Sequence, residues 1–355
     1  MKPLIFFSML VGSVAFGQDY NIETYRVFGR EHPGAYKHPA SVTQLANGDL
    51  YLTYHGGSGE YGDDTAVYGS RLASGASQWS APKIIADTPD QGDGNSVVWQ
   101  APDGRVWLFY VNRLGETWSH ARVKVKISAD SAETWSDSFN LTFEEGTMVW
   151  GQPIVLNNGD YLLPLYHETG EDREKTASST CSYFMRYNPK TKRWTETQRI
   201  QSAMGNLQAQ VVQLTNDYLV AYIRRGGDFL PTDHGYTLRA ESRDGGHTWS
   251  KAKDSPFRNP NAAVDFIKLQ NGHLLLVYND NMNDRTPLTV AISTDGDQSY
   301  PFRRNIAGGD NTFAYPDALQ TRDTKIHIVY TTNNRSTIMH TVFDEYAIIG
   351  RPPEL

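Results

Sequence analysis

The side chains of this sequence that are equipped for chemistry occupy one phase of a long repeat. Lys37, His38 and His55 come first, with the acids Glu60, Asp63 and Asp64 in a glycine-rich stretch from Gly56 to Asp64. His167 and Glu168 follow, then Gln208, Arg224, Asp265, Asn279, Arg285, Tyr315 and Arg335. Lysine and arginine grip anions, arginine with a planar fork that matches a carboxylate. Carboxylates and histidines move protons, and a tyrosine attacks or transfers a proton once its own is taken. The set suits an anionic substrate worked on by acid–base or nucleophilic chemistry. Each member also has a plainer reading, as an ion-pair partner, a turn cap or a packed aromatic. Recurrence at one place in the repeat favours function.

The repeat is carried by tyrosines. Tyr54, Tyr110, Tyr166, Tyr222, Tyr278 and Tyr330 lie at intervals of 56, 56, 56, 56 and 52 residues. Each closes a similar phrase: LANGDLYLTY, APDGRVWLFY, LNNGDYLLPLY, LTNDYLVAY, LQNGHLLLVY and TRDTKIHIVY. A turn leads into a short apolar strand that ends in Tyr. A constant period of this length without a helical pattern predicts one four-stranded antiparallel sheet per repeat. The expected fold is therefore all-β, a six-bladed propeller. Its ligands would meet the inner strands near the central axis, beside the phrases.

A second aromatic series, Trp79, Trp135, Trp194, Trp249 and Tyr300, supports the count. Three of these end the hairpin motifs SADSAETWS, SRDGGHTWS and STDGDQSY. The Asp caps local backbone N–H groups, Gly takes a positive φ, and the aromatic packs between sheets. These motifs are structural. Residues from about 18 to 33 are expected to form a strap that closes the ring.

The formal charge of −7 gives no field for nucleic acid, so an anion must be held by a local basic cluster. Lys2 and the apolar run PLIFFSMLVGSVAF predict a signal peptide over residues 1–17, followed by a single propeller domain over 18–355. The residue directly after the expected cut is Gln18, not cysteine, which argues against a lipid anchor. Cys181 is the sole cysteine, so no intrachain disulfide is expected, and a bacterial periplasmic or secreted location fits. NDNMND, from Asn279 to Asp284, lacks the ligand spacing of a calcium loop and reads as a polar loop. No cofactor or metal is expected, and protein partners are not legible.

NPNAAVDFIKLQNGHLLLVYN, then DRTPLTVAIS, FAYP and IHIVYTTNNR, resemble the sialidase (neuraminidase) superfamily, specifically its BNR-repeat, Asp-box branch. The resemblance covers the whole chain after the leader. It implies an arginine triad on the substrate carboxylate, with Arg224 and Arg285 at the second and third positions. At the first, in Tyr36-Lys37-His38-Pro39, Lys37 stands where arginine is expected. It also implies an acid/base among Glu60, Asp63 and Asp64, and a nucleophile at Tyr315. Gln208 occupies the position of the glutamate that activates that nucleophile.

These two departures bear on the reaction. An ammonium is a point charge without the fork of a guanidinium. Glutamine cannot take a proton, so Asp265 or Glu168 would have to replace the glutamate, or Tyr315 has another role. The leading expectation is an exo-acting hydrolase that removes a terminal acidic sugar but is not an ordinary sialidase. One alternative is a lyase on uronic-acid glycans, in which cations and amides neutralise the carboxylate and Tyr, His or Lys takes the adjacent proton. Another is a non-catalytic propeller that binds glycans or assembles with partners. His38, His55, His167, Asn279 and Arg335 join the expected substrate contacts.

Overall fold

The computed structural model describes residues 21–350. The expected leader, residues 1–17, lies outside them. Six antiparallel sheets stand in a ring, and the first strand of each lines the central axis against its neighbours. The sequence expectation of a six-bladed β-propeller is met.

Blade one runs from Tyr36–Gln44 through Leu50–Gly57 and Ala66–Leu72 to Lys83–Ala86. In blade three the innermost strand is split into Thr147–Val149 and Ile154–Val155. Blade six takes its outermost strand from the other end of the chain: Glu23–Phe28 pairs with Thr337–Phe343, and Thr24 Oγ1 lies 2.9 Å from Thr341 Oγ1. This is the strap expected near residues 18–33.

The phrase tyrosines occupy the second strand of each blade, and all six are at most 2 % exposed. The alternation of strands explains this: each turn hands over to a run whose every second residue enters a seam between sheets. The three Asp-box carboxylates share one geometry. Asp130, Asp244 and Asp295 each accept from the residue four positions on, through its N–H at 2.9 Å and its hydroxyl at 2.5–2.6 Å. These bonds hold all three at about 2, below the usual carboxylate range. Ala132 and Asp297 adopt the positive φ (64° and 75°) where the complete motif has Gly246. The turn thus keeps its form without glycine.

A second feature recurs near the axis. The innermost strands bulge in blades one, two, four and six, between Lys37 and Ala40, Gly94 and Val97, Leu207 and Gln210, and Ala314 and Asp317. Asn95, Gln208 and Tyr315 sit in these bulges with φ of 42°, 60° and 51°. Blade three has Gly151 (φ 110°) in its break, and blade five has Asn261 (φ 57°) just before the strand Asp265–Lys268. A non-glycine residue held left-handed costs on the order of 1–3 kcal/mol. Such strain concentrates where side chains are re-aimed for function.

Candidate active site

Those bulges ring one end of the axis and aim their side chains into a pocket of about 170 Å³. Gln208 and Tyr315 meet there. Gln208 Nε2 donates to Tyr315 Oη over 3.0 Å, and Arg224 Nη1 donates to the same oxygen over 2.9 Å. Arg224 Nη1 also donates to Gln208 Oε1 at 3.0 Å, which fixes the orientation of the amide. Arg224 Nε donates to Asn261 Oδ1 at 2.7 Å, and Arg285 Nη2 to the Asn261 carbonyl at 3.3 Å. One left-handed asparagine therefore holds both guanidiniums.

Of the four arginines that line the pocket, the three nominated from sequence differ in their partners. Arg335 pairs with Glu60 and donates to Tyr36 Oη at 3.2 Å. Among the described residues, Arg224 and Arg285 have no carboxylate within ion-pair distance, and Arg285 Nη1 is buried without a hydrogen-bond partner. Their guanidinium carbons lie 5.9 and 5.8 Å from the centre of the Tyr315 ring. Burial and the neighbouring Arg335 and Arg224 both act against the charge of Arg285. The pocket is short of an anion at this spot.

Two of the four carboxylates that line the pocket, Glu60 and Glu168, are held in opposite states. Burial pushes Glu168 up to about 7, only partly offset by Arg224. Glu60 is enclosed as well, but Arg335 and Arg285 outweigh burial and hold it below its usual range. A pair split in this way can supply one proton donor and one anion at neutral pH. His38 and His55 complete the wall beside Tyr36. Burial drives His55 down to about 3 and His38 well below the usual imidazole value. Both are neutral.

Of the residues nominated from sequence, Glu60, Glu168, Gln208, Tyr315, His38, His55, Arg224, Arg285 and Arg335 come together in this pocket. The others lie elsewhere. Lys37 is buried, and its ammonium donates to the Gly34 carbonyl. Asp63 is bound to Arg113 at 2.8 Å, and Asp64 caps Ser58 within its own loop. His167 lies 3.0 Å from the Glu145 carbonyl oxygen, while Asn279 donates to the Phe313 carbonyl at 3.1 Å. Asp265 faces a second cavity, of about 370 Å³, at the other end of the inner strands. There it accepts the N–H of Ala318 from the next blade at 2.5 Å.

Several pocket residues carried no functional signal in the sequence. Tyr166 is a phrase tyrosine, yet its hydroxyl accepts from Gln208 Nε2 at 3.3 Å and Asn95 Nδ2 at 3.2 Å. Its only cue is its place two residues before Glu168. Asp172 to Thr176 come from a loop that crosses the pocket wall. Arg173 stacks on Tyr61 at 4.6 Å, and Thr176 N donates to the Gly227 carbonyl at 3.0 Å. Among the described residues, no cluster of three or more His, Cys, Asp or Glu is arranged to hold a metal ion, and no helix is long and apolar enough to cross a membrane.

Solved structures with this fold include the Hadza microbial sialidase Hz136. It is 18 % identical with a TM-score of 0.76, the match covering 92 % of this chain and 69 % of that one. The intramolecular trans-sialidase of Ruminococcus gnavus is 14 % identical, TM-score 0.72, over 92 % and 98 % of the two chains. The α-L-arabinanase of Penicillium chrysogenum is 14 % identical, TM-score 0.66, over 91 % and 98 %. Identities this low speak for the fold alone. No curated protein sequence matches. A family profile described as a BNR repeat-like domain matches residues 48–328, most of the propeller. By that match the chain belongs to the BNR repeat-like domain family, and its six-bladed ring is the fold it shares with the sialidases.

Proposed function

We propose that the protein is an exported carbohydrate-active enzyme that binds a terminal acidic sugar and releases it by hydrolysis. One observation carries this reading: Arg224 and Arg285, both without a carboxylate partner, flank the Tyr315 ring in one enclosed pocket. Two uncompensated guanidiniums in a small concave site favour a carboxylate strongly. The volume of about 170 Å³ is below the roughly 300–1,000 Å³ of sites for drug-sized ligands. It suits one sugar unit, which favours exo action.

In this reading the substrate carboxylate lies on Arg224 and Arg285, and the reacting carbon faces Tyr315. Glu168, raised to about 7, gives a proton to the leaving oxygen, and Glu60 stays ionised beside Arg335. The fold shared with a sialidase and a trans-sialidase supports an acidic sugar. Export to the periplasm or medium rests on Lys2 and the apolar run behind it.

The hydrogen bonds of Tyr315 favour a second reading, elimination from a uronic-acid glycan. Gln208 and Arg224 both donate to Oη, and among the described residues no carboxylate or imidazole bonds to it. A phenolic proton must then point elsewhere, as suits a proton-transfer group. Product masses after incubation with sialylated and uronic-acid glycans separate the two. Products that carry one added water support hydrolysis, whereas masses that sum to the substrate alone overturn it in favour of elimination. Binding without product from any glycan would leave a binding propeller.

A further inference from the structure

The two pocket histidines are held in opposite tautomers. The backbone N–H of Asn95 donates to His55 Nδ1 at 3.1 Å, so the proton of this neutral ring is on Nε2. His38 Nδ1 lies 2.7 Å from Thr331 Oγ1, and that hydroxyl donates its single proton to the Ala314 carbonyl at 3.2 Å. With the hydroxyl proton assigned to that carbonyl, His38 Nδ1 is the donor and its Nε2 carries a lone pair. The rings cross at 73° with centroids 6.5 Å apart. Their exposure is 3 % and 1 %, and neither Nε2 has a hydrogen-bond partner in the protein.

Buried polar atoms are rarely left unpaired, because each forfeits its hydration. Here two such atoms, one acceptor and one donor, belong to histidines in the wall of the pocket that holds Arg224 and Arg285. His38 also meets the Tyr315 ring edge-on at 4.2 Å. A charged ligand group needs only one sign of partner. A hydroxyl both gives and takes a hydrogen bond.

We propose that His38 and His55 form a specificity pair that reads the hydroxyl groups of the sugar whose carboxylate lies on the arginines. His55 Nε2–H donates to a hydroxyl oxygen, and His38 Nε2 accepts a hydroxyl proton. This rests on the carboxylate reading of the pocket and adds to it: an acid without hydroxyls is bound by its charge alone, and one with those hydroxyls capped is rejected.

The test is calorimetry on the intact protein with N-acetylneuraminate, D-glucuronate, D-galacturonate and, as a carboxylate without hydroxyls, cyclohexanecarboxylate. His38→Asn and His55→Asn each keep a polar atom near Nδ1 and delete Nε2. At least one sugar acid is expected to bind about tenfold or more tighter than cyclohexanecarboxylate. Each variant should lose that preference and keep its affinity for cyclohexanecarboxylate. Equal affinity for all four acids in the wild type overturns the proposal and leaves the carboxylate pocket standing. A failure of all four to bind overturns the pocket reading and this one together. If a variant does not fold, ¹⁵N resonances of the wild-type imidazoles decide. The Nδ1–H form for His38, the Nε2–H form for His55 and shifts of both Nε2 signals with a bound sugar acid are expected. One shared tautomer, or signals that ignore the ligand, would refute the pair.

Discussion

Gln208 donates to the Tyr315 hydroxyl over 3.0 Å, at the position where the sialidase resemblance implies a glutamate. The contact is kept and its chemistry reversed. A glutamate there would accept the phenolic proton; the amide gives one instead. Arg224 supplies the second donor, so the oxygen lies between two positively polarised N–H groups.

Tyr315→Phe removes the oxygen on which both donors converge. Turnover should fall by roughly a hundredfold or more, with KM within a few-fold and the melting temperature nearly unchanged. Steady-state kinetics and thermal melts check this. Unaltered turnover would remove Tyr315 from the chemistry.

Gln208→Glu should weaken substrate binding. The new carboxylate would pair with Arg224 over the distance the amide now spans, 3.0 Å. That spends half of the uncompensated positive charge. KM for an acidic sugar is expected to rise about tenfold or more, in line with roughly 1.5–3 kcal/mol for a charged hydrogen bond. A lower KM would mean that the carboxylate site lies elsewhere.

Glu168 makes the rate depend on pH. As proton donor it must be protonated, so kcat/KM should decline as pH rises through about 7. Stability follows the same sign. A group raised in the folded state binds its proton more tightly there. Its contribution is complete below the unfolded value near 4 and is lost as pH rises through about 7. Glu168→Gln should therefore lower kcat/KM, remove the alkaline decline from the activity that remains, and narrow the difference in melting temperature between pH 5.5 and 8.5. A decline that persists in this variant assigns the proton to another group.

Asp265→Ala tests a residue that the structure sets apart from the pocket. Its carboxylate accepts the N–H groups of Phe266 at 2.8 Å and Ala318 at 2.5 Å, joining blades five and six. The loss leaves two buried donors unpaired, at about 2–4 kcal/mol together. Denaturant unfolding should show this, with KM for substrate little changed in the protein that remains folded.

The ring was legible because its signal is periodic. Tyr54 and Tyr278 look alike in sequence because both fill the same seam of successive blades. The site was legible where a residue follows a phrase directly, as Arg224 follows Tyr222. Strand alternation alone does not read it where a bulge intervenes; there Gln208 and Tyr315 are legible only through the family resemblance. One residue inserted in a strand exchanges its two faces. In Tyr36-Lys37-His38-Pro39 the residue that reaches the pocket is therefore His38, and Lys37 turns to Gly34. Arg335, nominated by its place after the last phrase, enters the pocket from the left-handed run Asn333, Asn334 and Arg335, with φ of 52°, 51° and 60°. Spacing does not announce such a run. Nor does it announce the loop from Asp172 to Thr176, whose place comes from contacts with Tyr61 and Gly227.

Because Glu23–Phe28 completes the sheet of Thr337–Phe343, the ring has a single latch made from both ends of the chain. That latch forms only after the last blade has emerged, so the five earlier blades wait as an open arc with one apolar edge uncovered. Contacts this distant in sequence are slow to form. Until the latch forms, the open arc is the species most exposed to proteases and to its own copies. Trimming either end past the latch would recreate it.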